Sequence, residues 1–92
     1  MTVFEDAVLE VITSLERGEV VTYGEVADQA GFPGAARAVG TVLRNCDAEV
    51  PWWRVVGVGG LIRTPGKERQ AELLKSEGIL VMDGKVVGVR NR

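Results

Sequence analysis

Two Thr-x-x-Glu segments, Thr2–Glu5 and Thr22–Glu25, constrain this chain more than any other feature. In each, a threonine hydroxyl at a helix N-cap accepts from the amide three residues on, while the glutamate reaches back to the threonine amide. They mark two separate helix starts. Behind the first, Val3, Phe4, Ala7, Val8, Val11, Ile12 and Leu15 recur at helical spacing as one apolar stripe, and Gly18 supplies a stop. Val20-Val21 reads as a short extended piece. The second box opens a short helix that ends at Gly31. Phe32-Pro33-Gly34 makes a tight connection, with Pro33 suited to a helix start, and a third helix is expected from about Gly34 to Asn45. Its buried side carries Ala36, Val39 and Leu43, helped by Val42; Arg37, Thr41 and Arg44 share the opposite face. Two short helices joined by a glycine-containing turn suggest a helix-turn-helix over about residues 23–45. Its second helix is rich in small residues (Ala35, Ala36, Ala38, Gly40), so its backbone can approach a partner closely. Helix spacing alone favours packing on other helices over a DNA groove.

The remainder is punctuated by aromatic and glycine signals. Val50-Pro51-Trp52-Trp53-Arg54-Val55 sets two indoles side by side, and indoles are usually buried in a core or a binding pocket. Val55 to Ile62 reads as extended chain around a Gly59-Gly60 turn, and residues 63–67 as a loop. A fourth helix is expected from about Lys67 to Glu77, burying Ala71 and Leu74 and ending at Gly78. Ile79 to Met82, Asp83-Gly84 and Lys85 to Val87 make a hairpin with an Asp-Gly turn. The expected fold class is mainly α with short β hairpins, in a single domain over residues 1–92.

Composition narrows the functions. Apolar residues at 46% and charged residues at 26% suit a soluble globular domain. No apolar run approaches the ~20 residues that span a bilayer. The polar, acidic start (Thr2, Glu5, Asp6) does not read as a secretory signal. A single cysteine, Cys46, excludes an internal disulfide and a multi-cysteine metal site and suggests a reducing compartment. The absence of histidine removes the usual general base near neutral pH and the commonest metal ligand. The expectation is therefore no metal, no cofactor, no membrane and a cytoplasmic location. The net charge of −2 is unevenly placed: residues 1–34 hold seven acids and one base, residues 35–69 six bases and three acids. Phosphate binding responds to the local field, so a basic middle would suffice; on charge alone, a solvated surface is the simpler reading.

Several segments, taken in order, resemble the C-terminal domain of the O(6)-alkylguanine-DNA alkyltransferases. They are Val21-Thr22-Tyr23-Gly24-Glu25-Val26-Ala27, Gly31-Phe32-Pro33-Gly34-Ala35-Ala36-Arg37-Ala38-Val39-Gly40, Pro51-Trp52-Trp53-Arg54-Val55-Val56 and Leu73-Leu74-Lys75-Ser76-Glu77-Gly78. Enzymes of that family carry Pro-Cys-His-Arg-Val at the active site; here Trp52 stands at the acceptor cysteine and Trp53 at the histidine. A tryptophan in place of the cysteine, with no additional domain, is similar to the alkyltransferase-like proteins, noncatalytic relatives that bind alkylated guanine in DNA. The likeness covers nearly the whole chain. It implies a winged-helix-like helix-turn-helix domain of the DNA alkyltransferase C-terminal type. In that family the recognition helix enters the minor groove, and the damaged nucleotide rotates out of the duplex into a pocket, here expected from the lesion-pocket loop 50–67 and closed by its part beginning at Arg63.

The resemblance also implies residue roles. Arg37 would fill the vacated space in the base stack, and Tyr23 would crowd the backbone phosphate and favour rotation. Ala35, Ala36 and Gly40 would let the helix sit close in the groove, with Thr41 and Arg44 on the DNA-binding face. Tyr23, Trp52, Val56 (through its backbone groups) and Arg63 (through a cation–π contact) would form the lesion pocket. Asn45 would brace the helix-turn-helix, Arg54 would hold the loop, and Glu77, without its histidine, would only cap or pair locally. Read as isolated residues, Arg37 is a solvated charge, Tyr23 a core ring and the tryptophans a core pair. The surrounding motif favours the functional roles, and Trp52 over Trp53 as the ligand contact.

Alkyl transfer needs an activated nucleophile, usually a thiolate. An indole nitrogen cannot serve, and Cys46 lies upstream of Trp52 with no histidine to activate it. The expected function is a monomeric damage sensor without turnover. It would bind double-stranded DNA containing O(6)-alkylguanine and flag it for nucleotide excision repair proteins, near the nucleoid in a bacterium. The rival readings are a helix-turn-helix transcription regulator that is indifferent to alkylation, an enzyme acting through Cys46, and a purely structural module.

Overall fold

The computed structural model describes residues 2–88, and in it both threonine boxes close as helix caps. Helix α1 (Val3–Thr13) starts from Thr2, whose Oγ1 accepts from the Glu5 amide at 3.1 Å while Glu5 Oε1 accepts from the Thr2 amide at 3.0 Å. Helix α2 (Tyr23–Gln29) repeats the arrangement with Thr22 and Glu25. The α1 stripe delivers Val8 and Ile12 to the core as fully buried side chains. Leu15 joins them from just beyond the helix. Val3, expected in the stripe, is 79% exposed, while Phe4 of the same turn packs on the larger core.

Helix α3 (Ala36–Arg44) begins later than the expected Gly34. Gly31 and Gly34 both take left-handed backbone, φ 89° and 85°, which is compatible with a tight turn and not with a helix. Pro33 therefore sits inside the turn instead of opening the helix. The Phe32 amide donates to the Ala27 carbonyl at 2.9 Å, and its ring meets Phe4 edge-on at 5.0 Å. With Val26, Ala27 and Val39 buried, α2 and α3 form the helix-turn-helix.

The strands differ from a set of hairpins. β1 (Val21–Thr22) pairs in parallel with β2 (Val55–Val56), Val21 opposite Val55 and Thr22 opposite Val56. A parallel pair needs a crossover, and α2, α3 and the tryptophan segment supply it. The tryptophans form a 3-10 turn, Trp52–Arg54, just before β2. After β2 the chain is extended for no more than a step. It then bends through a second 3-10 turn, Val58–Gly60, closed by the Gly57 amide on the Leu61 carbonyl at 2.7 Å. Helix α4 (Lys67–Ser76) follows, with Glu77 at its C-cap. The expected Asp-Gly hairpin forms from β3 (Val81–Met82) and β4 (Lys85–Val86), with Asp83 and Gly84 both at positive φ. Among the described residues no helix is long and apolar enough to cross a membrane.

Successive strand residues point to opposite sides, and β2 uses this to serve two cores. Val55 enters the larger one with Val8, Ile12, Val26 and Val39; Val56 enters the smaller one with Ile62, Leu74 and Val86.

The two halves of the second core meet tightly at Gly60, whose φ is 88° and where a Cβ would overlap the Val86 carbonyl oxygen. Gly60→Ala is expected to cost well over the ~1–2 kcal/mol of left-handed strain alone. Gly78→Ala, at φ 82° with open space around it, carries only that strain. Urea unfolding of the two variants beside wild type checks the difference.

Candidate nucleic-acid interface

Where α2, α3 and the loops after the two 3-10 turns converge, they leave an open cleft of about 970 Å³. Tyr23 at the start of α2, Ala36, Arg37, Gly40 and Arg44 along α3, and Trp52 and Arg63 from the loops all face it. Three arginines and no carboxylate line it among the described residues. A concave surface of one sign focuses its field, so the cleft attracts anions although the chain is net acidic.

Each wall has a local cause. Arg37, Thr41 and Arg44 lie exposed along α3, as their spacing requires. The Thr41 hydroxyl donates to the Arg37 carbonyl at 3.3 Å and accepts from Arg44 Nη2 at 3.1 Å, which lays Arg44 along the helix. Thr41 itself stands outside the cleft. At Gly40 a Cβ would find Arg44 at 3.7 Å and the Tyr23 ring at 4.0 Å, ordinary contacts. Internal packing therefore does not demand glycine there, and the smooth surface is available to something outside. Across the cleft, Arg63 lies against Gly57, where a Cβ would fall 2.7 Å from Arg63 Cδ. Burial raises the Tyr23 hydroxyl above its ordinary pKa, against a smaller pull downward from Arg63 and Arg44, so it remains a proton donor at neutral pH.

The two tryptophans diverge. Their rings meet edge to face, 6.0 Å apart at 87°. Trp52 packs against the larger core with one side and lines the cleft with another. Trp53 packs on the smaller core, and its Nε1 donates to Glu77 Oε2 at 2.7 Å. Arg54 lies over the Trp53 ring at 5.4 Å and pairs with Glu77 at 2.8 Å, both side chains nearly buried. Arg54 also reaches the Leu15 carbonyl at 2.8 Å, and Glu77 Oε1 accepts from the Gly18 amide at 2.8 Å. Glu77 therefore does more than cap or pair locally: it joins the end of α1, the tryptophan turn and the end of α4. Its carboxyl is held down to about 2, first by the Arg54 hydrogen bonds, with help from the Gly18 amide and the Trp53 N–H, against burial, which pushes it up.

Other expected site residues are placed differently. Ala35 packs half-buried on the larger core as the N-cap of α3 and does not line the cleft. The Val56 side chain is fully buried in the smaller core, which leaves only its backbone for the expected contact, and the next residues, Gly57 and Val58, line the cleft. Asn45 caps α3 through its backbone; its side chain is exposed and bonds to no other described residue, because the bracing runs through Arg54 and Glu77. Cys46 is half-buried outside the cleft, its sulfur accepting from the Ala48 amide at 3.3 Å. Sequence reasoning missed Thr64 and Gly57 on the cleft wall and the fully buried Gln70 behind it. The signal for Gln70 was available: it lies one turn before Leu74 on the face that α4 buries.

The comparisons agree with this geometry. The profile of the 6-O-methylguanine DNA methyltransferase DNA-binding domain matches residues 3–79. A DNA base-flipping protein of Vibrio parahaemolyticus is 42% identical over 84 residues, covering 86% of this chain and 84% of that one. Alkyltransferase-like protein 1 of Schizosaccharomyces pombe is 35% identical over 85 residues, covering 86% and 79%. The crystal structure of Schizosaccharomyces pombe Atl1 in complex with damaged DNA containing O6-carboxymethylguanine superposes with a TM-score of 0.84 at 32% identity, covering 94% of this chain and 88% of that one. The helix-turn-helix fold of the alkyltransferase C-terminal type is thus the fold of this chain.

Because the folded Glu77 carboxyl sits near 2, against an ordinary 4.5, its contribution is complete above pH ~4.5 and is lost as pH falls toward 2. The linkage amounts to about 3 kcal/mol. Glu77→Gln, which leaves the Arg54 charge buried and unpaired, is expected to lose about 3 kcal/mol at pH 7. It should also flatten the stability profile between pH 4.5 and 2, as read by denaturant unfolding across that range.

Proposed function

This chain belongs to the family of the 6-O-methylguanine DNA methyltransferase DNA-binding domain, and from that premise we propose that it is a damage sensor without turnover. It binds duplex DNA through the minor groove, rotates an O(6)-alkylguanine into the cleft, holds it there with the alkyl group in place and flags it for nucleotide excision repair. The observation that carries this reading is Trp52 on the cleft wall, within a Pro-Trp-Trp-Arg-Val segment that resembles the Pro-Cys-His-Arg-Val of the family's enzymes.

The chemistry supports binding over transfer. Moving an alkyl group from guanine O(6) requires a nucleophile whose attack breaks the O–alkyl bond, and an indole offers none. The one thiol, Cys46, lies outside the cleft, and the chain has no histidine to activate it. Extruding a base costs a few kcal/mol, and a planar guanidinium can replace part of the lost stacking. Arg37, exposed near the start of α3, is in place to do so. Tyr23, half-buried on the cleft wall, would press on the backbone phosphate as the nucleotide turns. Arg44 and Arg63 would supply phosphate and base contacts, and Gly40 and Ala36 the close approach. A duplex held this way is distorted and capped by protein, which would make the lesion easier for repair proteins to find. The sensor works as a monomer inside the cell.

After incubation with a duplex containing O(6)-methylguanine, the intact mass of the protein should be unchanged. The mass of Trp52→Cys should be unchanged as well, because Trp53 still occupies the place of the activating histidine; a gain of one methyl group on either protein would contradict the account. Base rotation is read by 2-aminopurine placed opposite the lesion, whose fluorescence should rise on binding. Arg37→Ala should reduce both that rise and lesion affinity, by about tenfold or more. A regulator indifferent to alkylation would leave the fluorescence unchanged.

A further inference from the structure

Behind the cleft wall, Gln70 of α4 is completely buried and all its bonding is assigned. Its Nε2 donates to two carbonyls, Trp53 O and Val55 O, each at 3.0 Å. With both amide protons spent on those acceptors, the orientation of the amide is fixed and Oε1 can only accept. Its partner is Thr64 Oγ1 at 3.0 Å, so the threonine hydroxyl donates. Thr64 lines the cleft directly after Arg63. One side chain, itself fully buried, thus ties the tryptophan turn to the loop that carries Arg63.

We infer that Gln70 is a positioning residue for lesion discrimination, acting through Thr64 to hold the loop that carries Arg63 at a fixed distance from Trp52. This rests on the reading of the cleft as a lesion pocket. The loop is anchored at its start by buried Ile62, whose amide donates to the Gly84 carbonyl at 2.9 Å, and Arg63 lies against Gly57; beyond Arg63 the side-chain hydrogen bond is that of Thr64. Residues 63–66 form no regular structure, and the side chain of Arg63 is exposed. The Thr64–Gln70 hydrogen bond is the side-chain tether between this segment and the buried part of α4. A flipped base would be read by contacts from both walls at once, so loosening one wall would weaken the damaged complex more than the undamaged one. Duplex with its bases stacked meets the α3 face and asks less of the loop.

The experiment compares affinities for two duplexes, identical except for guanine or O(6)-methylguanine at one position, at fixed salt, and takes their ratio. The ratio divides out any loss of duplex binding common to both. Thr64→Val keeps the shape and removes the donor. It should lower the ratio by roughly fivefold to tenfold, the size of one neutral hydrogen bond. Thr64→Ser, which restores the hydroxyl, should return the ratio to within about twofold of wild type, a rescue that a bulk packing effect would not give. Gln70→Met, if folded by circular dichroism, should match Thr64→Val; if it does not fold, the Thr64 pair decides. An unchanged ratio in Thr64→Val, with wild type discriminating, overturns the inference and leaves the sensor reading intact. A wild-type ratio near one overturns both.

Discussion

The buried Arg54–Glu77 pair holds Trp53 on the smaller core while its neighbour Trp52 packs on the larger one and lines the cleft. Glu77 takes the Trp53 N–H, the Arg54 guanidinium and the Gly18 amide on a single carboxylate. Trp53 is thereby drawn into the smaller core, which leaves Trp52 facing the larger core and the cleft. A buried ion pair of this kind is weak evidence of net stabilisation, since desolvation offsets much of the attraction. Its effect here is geometric: removing either partner would strand a charge, so the tryptophan turn is held in one orientation. The parallel pairing of β1 with β2 does the rest, bringing Tyr23, the first residue after β1, to the same end of the pair as Gly57, the first residue after β2, and both line the cleft.

The cleft combines two properties that are seldom found together on an acidic protein. Its arginines come from α3 and from the loop after β2, while the acids of the first third lie elsewhere in the chain. Its α3 wall is low in relief, because Ala36 and Gly40 carry almost no side chain between Arg37 and Arg44. Positive potential without bulk suits the approach of a phosphate backbone and a narrow groove. An indole on the cleft wall suits a flat heteroaromatic ligand, which stacks through its face whatever its substituent. These features argue for a pocket that retains a base.

What could be read from the chain was mostly local. The capping boxes depend on residues three apart, and both closed as written; so did the Asp-Gly hairpin. The start of α3 was misplaced because Gly34 is compatible with either a helix or a left-handed turn, and the choice depends on Phe32 anchoring to α1 and α2. The β1–β2 pairing was illegible: two short valine-rich pieces far apart in sequence give no register and no direction. The site was legible through resemblance more than through pattern. Trp52, Tyr23, Arg37 and Arg63 all meet in the cleft, but nothing in their spacing announces it. Ala35 is drawn by packing onto the larger core, and the Asn45 side chain stays exposed. Gln70 was legible only by position, one turn before Leu74 on the buried face, since its amide gives no apolar signal of its own.

The central claim is that this cleft recognises alkylated guanine. Equilibrium fluorescence polarisation against labelled duplexes containing guanine or O(6)-methylguanine at a single position, at one fixed salt concentration, tests it most directly. The account predicts clearly tighter binding to the methylated duplex, with the difference surviving as salt rises and both affinities fall. Equal affinity for the two duplexes, or no binding to either, would contradict it.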